Sequence, residues 1–208
     1  MKLYTRWQNS AGERVRIALN IKGLPYEYVA AESLPSGAYG AMNPQGLMPT
    51  LEVDRRFIAQ SAAILQYLEE VHPMPSLLPA DPITRAQARA FGAVVASEMH
   101  AVTVNRLRKY LGVLKVDEKG VQRWVHHWLA EGFATLEAML QRRPVPWKFC
   151  YGDAPGWADL HLVPQLANGR RLGIDLSSYP ALLAVEKECV VLDAFRRARP
   201  EVQPDYPG

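Results

Sequence analysis

Asn43-Pro44-Gln45-Gly46-Leu47-Met48-Pro49-Thr50-Leu51, followed after a short hairpin-like stretch by Gln60-Ser61, decides how the first part of this chain folds. The residue before a proline is pushed to extended backbone, and X-Pro is almost the only peptide bond that adopts the cis form at small cost. Met48 is therefore expected to sit at a cis-proline turn and to offer its N–H and C=O to an extended peptide, as a strand edge does. Ser61 opens an apolar-periodic run (Ala62, Ile64, Leu65, Leu68), so its hydroxyl and the following amides lie at the positive end of a helix, which favours a carboxylate. Read singly, these are a plain loop and a capped helix. Their combination suggests a site for a tripeptide thiol.

Outward from that stretch, residues 1–79 alternate short strands with helices. Lys2 to Thr5 reads as a strand, and Glu13 to Lys22 as a helix with Val15, Ala18 and Leu19 at helical spacing, closed by Gly23. Tyr26 to Ala30 reads as a second strand. Thr50 to Val53 and Arg56 to Ala59 form a hairpin around Asp54–Arg55, and Ser61 to His72 forms a helix ended by Pro73 and Pro75. The order implies a small mixed sheet with helices packed on it. The run Leu77-Leu78-Pro79-Ala80-Asp81-Pro82 breaks the pattern, which places a domain boundary there, with residues 80–84 as linker and 85–208 as a second domain. Beyond it the pattern is helical: Ile83 to about Leu114, Glu118 to about Arg142, Ala158 to Leu172, and shorter helices near Tyr179 to Glu188 and Val190 to Arg199. Gly156 and Asp159 frame the start of the third of these, where Asp159 is expected to accept otherwise unpaired backbone N–H groups and so to serve folding.

Composition narrows the function. The chain has 208 residues and is 49% hydrophobic, ample for a packed core. Its longest apolar stretches, Phe91 to Ala96 and Ala181 to Val185, are far short of a membrane span. The start Met1-Lys2-Leu3-Tyr4-Thr5-Arg6 has no apolar signal core, which argues for the cytoplasm. Two cysteines, Cys150 and Cys189, give no framework of bridges and read as inert buried thiols in a reducing compartment. A net charge of +3, with basic and acidic residues interspersed, does not point to nucleic acid but suits a small anionic ligand. The Arg-rich ending Phe195-Arg196-Arg197-Ala198-Arg199-Pro200 reads as a solvated helix face. No Cys-x-x-Cys or His-Glu-x-x-His spacing suggests a metal.

Five segments resemble the zeta-class glutathione transferases, and within them the bacterial maleylacetoacetate and maleylpyruvate isomerases. They are Asn9-Ser10-Ala11-Gly12-Glu13-Arg14-Val15-Arg16-Ile17-Ala18-Leu19, the Asn43 to Leu51 turn, Gln60-Ser61-Ala62-Ala63-Ile64, Ala158-Asp159-Leu160-His161-Leu162-Val163-Pro164-Gln165 and Gln203-Pro204-Asp205. The resemblance implies an α/β N-terminal thioredoxin-like domain plus an all-α C-terminal helical domain, glutathione as cofactor and a homodimer. It also implies roles. Ser10, at the second position of the family's Ser-Ser-Cys motif, would face the glutathione sulfur and, with the helix dipole, favour thiolate. Met48 and Pro49 would hold the cysteinyl part, Gln60 and Ser61 the γ-glutamyl carboxylate, and His100 a further cofactor contact. Arg171 would meet the substrate carboxylate, with Arg170 a weaker neighbour.

Departures from the family are equally legible. Gln8 stands where several bacterial isomerases have arginine, Ala11 replaces the motif cysteine, and Thr103-Val104 replaces a paired Asn-Asn. Asn105, Arg106 and Arg108 lie within a turn and could substitute for the lost polar contacts, helix phase deciding which. The reaction implied is glutathione-dependent cis–trans isomerisation of a maleyl-type keto acid by thiolate addition, rotation and elimination. Two alternatives stay open on sequence alone: conjugation or dehalogenation of a small electrophilic acid, and a non-catalytic binding module with the transferase fold.

Overall fold

The computed structural model describes all residues, Met1–Gly208. It divides into two compact units, Met1–Leu77 with Val190–Gly208, and Leu78–Cys189. The first contains a four-stranded sheet in the order β2-β1-β3-β4. Strand β1 (Lys2–Thr5) pairs in parallel with β2 (Glu27–Ala30) and antiparallel with β3 (Thr50–Val53), which pairs antiparallel with β4 (Arg56–Ala59). The parallel pair needs a crossover, supplied by helix α1 (Ser10–Ile21). Asp54 and Arg55 both take positive φ, 47° and 62°, in the two-residue turn whose twist matches a right-handed hairpin. Helix α2 (Ala38–Met42) precedes the Asn43 turn, and α3 (Ser61–Val71) follows β4 and packs on α1. Leu3, Val15, Ile17, Leu19, Leu51, Ile64, Leu65 and Leu68 form the core, all fully buried.

Helix α1 begins one turn earlier than its apolar periodicity suggests. Asn9 has extended backbone and its side chain accepts the Gly12 N–H, so a polar cap rather than an apolar residue sets the start. Gly23 closes it at φ +65°.

The last segment differs from expectation in both shape and place. Only Asp193–Arg196 forms a helix (α10), with a short 3-10 turn at Pro200–Val202, and the whole of Val190–Gly208 packs with the N-terminal unit instead of the helical one. Side chains of α1 and the sheet hold it. Arg16 Nε donates to Ala198 O at 3.0 Å and Asn20 Nδ2 to Ala194 O at 2.9 Å. The Asp205 carboxylate accepts the Trp7 N–H at 3.0 Å and the Tyr28 hydroxyl at 2.6 Å. The tail is thus a polar clasp, and an apolar-periodicity reading has no access to such a contact.

The second unit is helical: α4 (Pro82–Ala93), a π-helical continuation Val94–His100, α5 (Ala101–Thr103), α6 (Asn105–Val113), α7 (Glu118–Gln141), α8 (Trp157–Arg171) and α9 (Pro180–Val190), the last reaching the boundary. The single helix expected from Ile83 to Leu114 is broken at Val104, whose ψ of 154° is extended. Thr103 Oγ1 donates to Met99 O at 2.7 Å and Trp124 Nε1 to Val102 O at 2.8 Å. Both carbonyls thereby gain side-chain donors at the point where a β-branched run, Val102-Thr103-Val104, weakens the helix. Asp159 accepts the Cys150 and Gly156 N–H groups at 2.8 Å each, the folding role expected of it. Both cysteines are free and fully buried, and burial is the main cause that raises each thiol's pKa. No helix is long and apolar enough to cross a membrane.

Glu13 is 5% exposed, and burial pushes its pKa up to about 7 from 4.5. The folded state therefore holds a proton that the unfolded chain releases between those values, so this group's contribution to stability falls as pH rises from about 4.5 to about 7. The full swing is roughly 3 kcal/mol. Glu13→Gln is expected to flatten that slope and to unfold at higher urea than the parent at pH 8, with little difference at pH 4, measured by denaturant titration at each pH.

Candidate functional site

The register of the sheet brings three loops to one end of it. Thr50 pairs with Tyr4 on one side and with Ala59 on the other. Because β3 runs against both neighbours, the chain leaving β1 toward Ser10, the Met48–Pro49 turn entering β3 and the Gln60–Ser61 junction leaving β4 all emerge together. Of the residues singled out from sequence, Ser10, Met48, Pro49, Gln60 and Ser61 are thus assembled within one unit.

The turn before Pro49 and the residue before α3 are held by identifiable contacts. The Met48–Pro49 peptide is cis. The preceding turn closes with Gly46 N–H to Asn43 O at 2.9 Å, with Pro44 and Gln45 at its corner. Asn43, 2% exposed, anchors it: Nδ2 donates to Leu47 O at 2.7 Å and to Thr50 Oγ1 at 3.2 Å, and Oδ1 accepts the Gln45 N–H at 3.1 Å. Tyr39 adds a second bond to Leu47 O at 2.9 Å. Met48 stands between this turn and the first ladder residue, Thr50, and its peptide groups take no part in the turn's hydrogen bonds.

Gln60 has φ +67°, a left-handed value that costs a non-glycine residue of order 1–3 kcal/mol and recurs at functional sites. Its amide donates to Gln45 Oε1 at 2.5 Å, which ties the start of α3 to the Asn43 turn. No side chain caps α3, and Ser61, 5% exposed, is its first residue. At α1 the opposite holds. Asn9 does the capping, so Ser10 is not required as a cap, the role a serine at a helix start ordinarily has. Tyr4, whose backbone pairs with Thr50, donates its hydroxyl to Glu52 Oε2 at 2.6 Å. That bond, with burial and the Glu52 charge, pushes its pKa up to about 12, far from any acid–base work at neutral pH.

The remaining expected residues lie in the helical unit. His100 ends the π-helical segment, an irregularity frequent at functional sites. Arg170 forms a two-pronged pair with Glu186, Nη1 to Oε1 at 2.6 Å and Nη2 to Oε2, and this bond raises its pKa further. Arg170 is thus already matched to a carboxylate of its own chain. Arg171, exposed, donates to Asn168 Oδ1 at 2.5 Å. On α6 the helix phase is resolved: Asn105 and Arg106 are exposed, whereas Val104, Leu107, Arg108 and Leu111 share the half-buried side. Arg108 Nε is buried without a hydrogen-bond partner, which makes Arg108 the polar residue of α6 turned inward. Only the burial pattern distinguishes it from its neighbours.

A mixed β2-β1-β3-β4 sheet followed by a helical unit matches the architecture of the glutathione transferases. The family model for the glutathione S-transferase N-terminal domain matches residues 8–76. Maleylpyruvate isomerase of Ralstonia sp is 42% identical over 210 residues, with 99% of each chain covered. Maleylacetoacetate isomerase of Pseudomonas aeruginosa is 39% identical over 219 residues, with all of each chain covered. Among solved structures, a holo maleylpyruvate isomerase described as a bacterial zeta-class glutathione S-transferase superposes with a TM-score of 0.93 at 42% identity over 99% of each chain. The maleylacetoacetate isomerase of Methylobacterium extorquens AM1, solved with malonate and glutathione bound, superposes at 0.92 with 37% identity over all of each chain. The chain belongs to the zeta-class glutathione transferases, in the family of maleylpyruvate and maleylacetoacetate isomerases.

Asn43→Ala would leave the Gln45 N–H without its acceptor and Leu47 O with one donor fewer. The expected loss is about 1–3 kcal/mol in a thermal or urea melt, an order of magnitude set by stranded buried polar groups. A variant as stable as the parent would show that the turn does not depend on Asn43.

Proposed function

We propose that the protein is a glutathione-dependent cis–trans isomerase that converts a maleyl-type keto acid, maleylpyruvate or maleylacetoacetate, to its fumaryl isomer. The observation that carries this reading is the end-to-end likeness to the Ralstonia maleylpyruvate isomerase, 42% over 99% of both chains. Three features of the N-terminal unit support glutathione as the cofactor. The uncapped start of α3 at Gln60–Ser61 suits the γ-glutamyl carboxylate. The Met48 peptide, outside the turn's own bonding, suits the cysteinyl backbone. Ser10, with capping left to Asn9, suits the sulfur.

When bound, glutathione supplies a thiolate that adds to the conjugated double bond, permits rotation about the resulting single bond and leaves unchanged. The protein's own groups do the rest. Ser10 donates its O–H toward the sulfur, and the positive end of α1 favours the anion. Arg171 holds the distal carboxylate and so fixes orientation, with Arg108 the better placed of the α6 arginines to assist. Arg170, paired with Glu186, keeps the end of α8 rigid. Asn105 and Arg106, on the exposed side of α6, can reach only a ligand approaching from solvent. His100 contributes a cofactor contact from the π-helical segment. The working form is a cytoplasmic homodimer.

An ultraviolet assay of maleylpyruvate and maleylacetoacetate, each with and without glutathione, tests this directly. Isomerisation of at least one acid should require glutathione and leave its concentration constant. Glutathione consumed at the rate of turnover would indicate conjugation or dehalogenation instead, and absence of both binding and turnover would indicate a non-catalytic module. Ser10→Ala should lower kcat/KM at least about tenfold, corresponding to roughly 1.4 kcal/mol of transition-state stabilisation. Unchanged kinetics would remove Ser10 from the chemistry.

A further inference from the structure

Where Ser10 stands is set by the loop before it. Residues 6–9 carry the chain from the end of β1 at Thr5 to the first residue of α1. Several bonds to the backbone of this loop come from the loop itself or from α1. Arg6 Nε donates to Gln8 O at 3.2 Å, Arg16 Nη1 to Arg6 O at 3.4 Å and Arg16 Nη2 to Trp7 O at 3.3 Å, while Asn9 accepts the Gly12 N–H. Such partners travel with the loop and its helix. The Trp7 N–H has a partner of another origin: it donates to Asp205 Oδ2 at 3.0 Å, across 198 positions of the chain.

Asp205 is itself firmly held. Its Oδ1 accepts the Tyr28 hydroxyl, on β2, at 2.6 Å; burial and then this bond raise the Tyr28 pKa, so the hydroxyl stays a donor. Just before it, Gln203 is 8% exposed and its Nε2 donates to Arg197 O at 2.9 Å and to Arg199 O at 2.7 Å, which fixes the bend that presents Asp205. Just after it, the Tyr206 ring meets the Trp7 ring edge-on, with 5.2 Å between centroids. One carboxylate thus joins β2, the last segment of the chain and the loop that leads to Ser10, all inside the N-terminal unit. Hydrogen bonds to an ionised acceptor are stronger than neutral ones, which suits this carboxylate to fixing a loop.

We propose that Asp205 is a positioning residue for Ser10: by tying the Trp7 peptide to β2, its carboxylate sets where the loop delivers the Ser10 hydroxyl, so that the last segment governs the reaction without touching a ligand. The proposal rests on the glutathione reading above and extends the active-site machinery to a residue remote in sequence. The other expected cofactor groups do not share this dependence. Asn43 and Tyr39 hold the turn before Met48–Pro49, and Gln45 holds Gln60, with no contribution from the last segment. Loss of the Asp205 bond should therefore displace Ser10 while leaving most of the tripeptide site intact. A displacement of about 1 Å is enough to cost of order a hundredfold in rate.

The test compares wild type, Asp205→Ala and Tyr28→Phe as full-length proteins, well below each melting temperature. It reads kcat for glutathione-dependent isomerisation, S-methylglutathione affinity by calorimetry, and Tm. Asp205→Ala should lower kcat about tenfold and keep S-methylglutathione affinity within about twofold of wild type, a split that general loosening of the fold does not produce. Tyr28→Phe removes the other bond to the same carboxylate and spares the one to Trp7, so its Tm should fall while kcat stays within about twofold of wild type. Should Asp205→Ala fail to fold, Asp205→Asn, which keeps the shape and one acceptor oxygen, is read in its place, with kcat lowered about threefold. A folded Asp205 variant with wild-type kcat overturns the positioning role, as does a loss of kcat that Tyr28→Phe reproduces at equal loss of Tm. Wild-type protein that binds no S-methylglutathione, or turns over neither acid with glutathione, overturns the functional reading itself and the proposal with it.

Discussion

Everything proposed for this protein depends on one register, the pairing of Thr50 with Tyr4 on one side and Ala59 on the other. Thr50 is fully buried, and its hydroxyl lies 2.9 Å from the Tyr39 hydroxyl, so the strand and the turn that feeds it are fixed together. A slip of one residue would turn Leu51 from the core to the opposite face. It would also separate the three loops that carry Ser10, Met48–Pro49 and Gln60–Ser61. The pairing therefore joins stability to function: the same apolar alternation that buries Leu3 and Leu51 sets the spacing of the polar groups at the end of the sheet.

Around that register the polar interior is organised by helix ends. At α1 the cap is Asn9; at α3 no side chain caps at all, and Gln60, at positive φ, donates its side-chain amide to Gln45. At α8 the N-cap is Gly156, and Asp159 in the first turn accepts its N–H and that of Cys150, a folding role. The hydrogen bonds thus separate the capped starts of α1 and α8 from the uncapped start of α3. The two α1 arginines divide in the same manner, Arg16 bound to carbonyls and Arg14 not.

Much of this was legible in the sequence because it rests on local chemistry. The hairpin at Asp54–Arg55, the glycine stop at Gly23, the helix at Ser61 and the cis-proline turn each follow from a few adjacent residues, and the polar end of the sheet follows from their order. What the sequence hid is non-local. The break at Val104 depends on Trp124 reaching Val102 O from another helix. The tail joins the N-terminal unit through Arg16, Asn20 and Asp205, contacts between residues far apart in the chain. Arg170, the weaker neighbour of Arg171 in the sequence, is set apart from it by Glu186, sixteen residues further on. Arg108 and Arg14 stand out only through burial, since an arginine in a helix is usually a solvated charge.

The most direct test of the central claim, that glutathione lies across the end of the sheet fixed by Thr50, is amide NMR of the labelled protein during a glutathione titration. The account predicts that the Ser10, Met48 and Ser61 amides shift together along one binding curve, while amides at the Lys2–Glu27 end of the sheet hold still. Saturable binding that moves a different set of amides and leaves those three unchanged would contradict it.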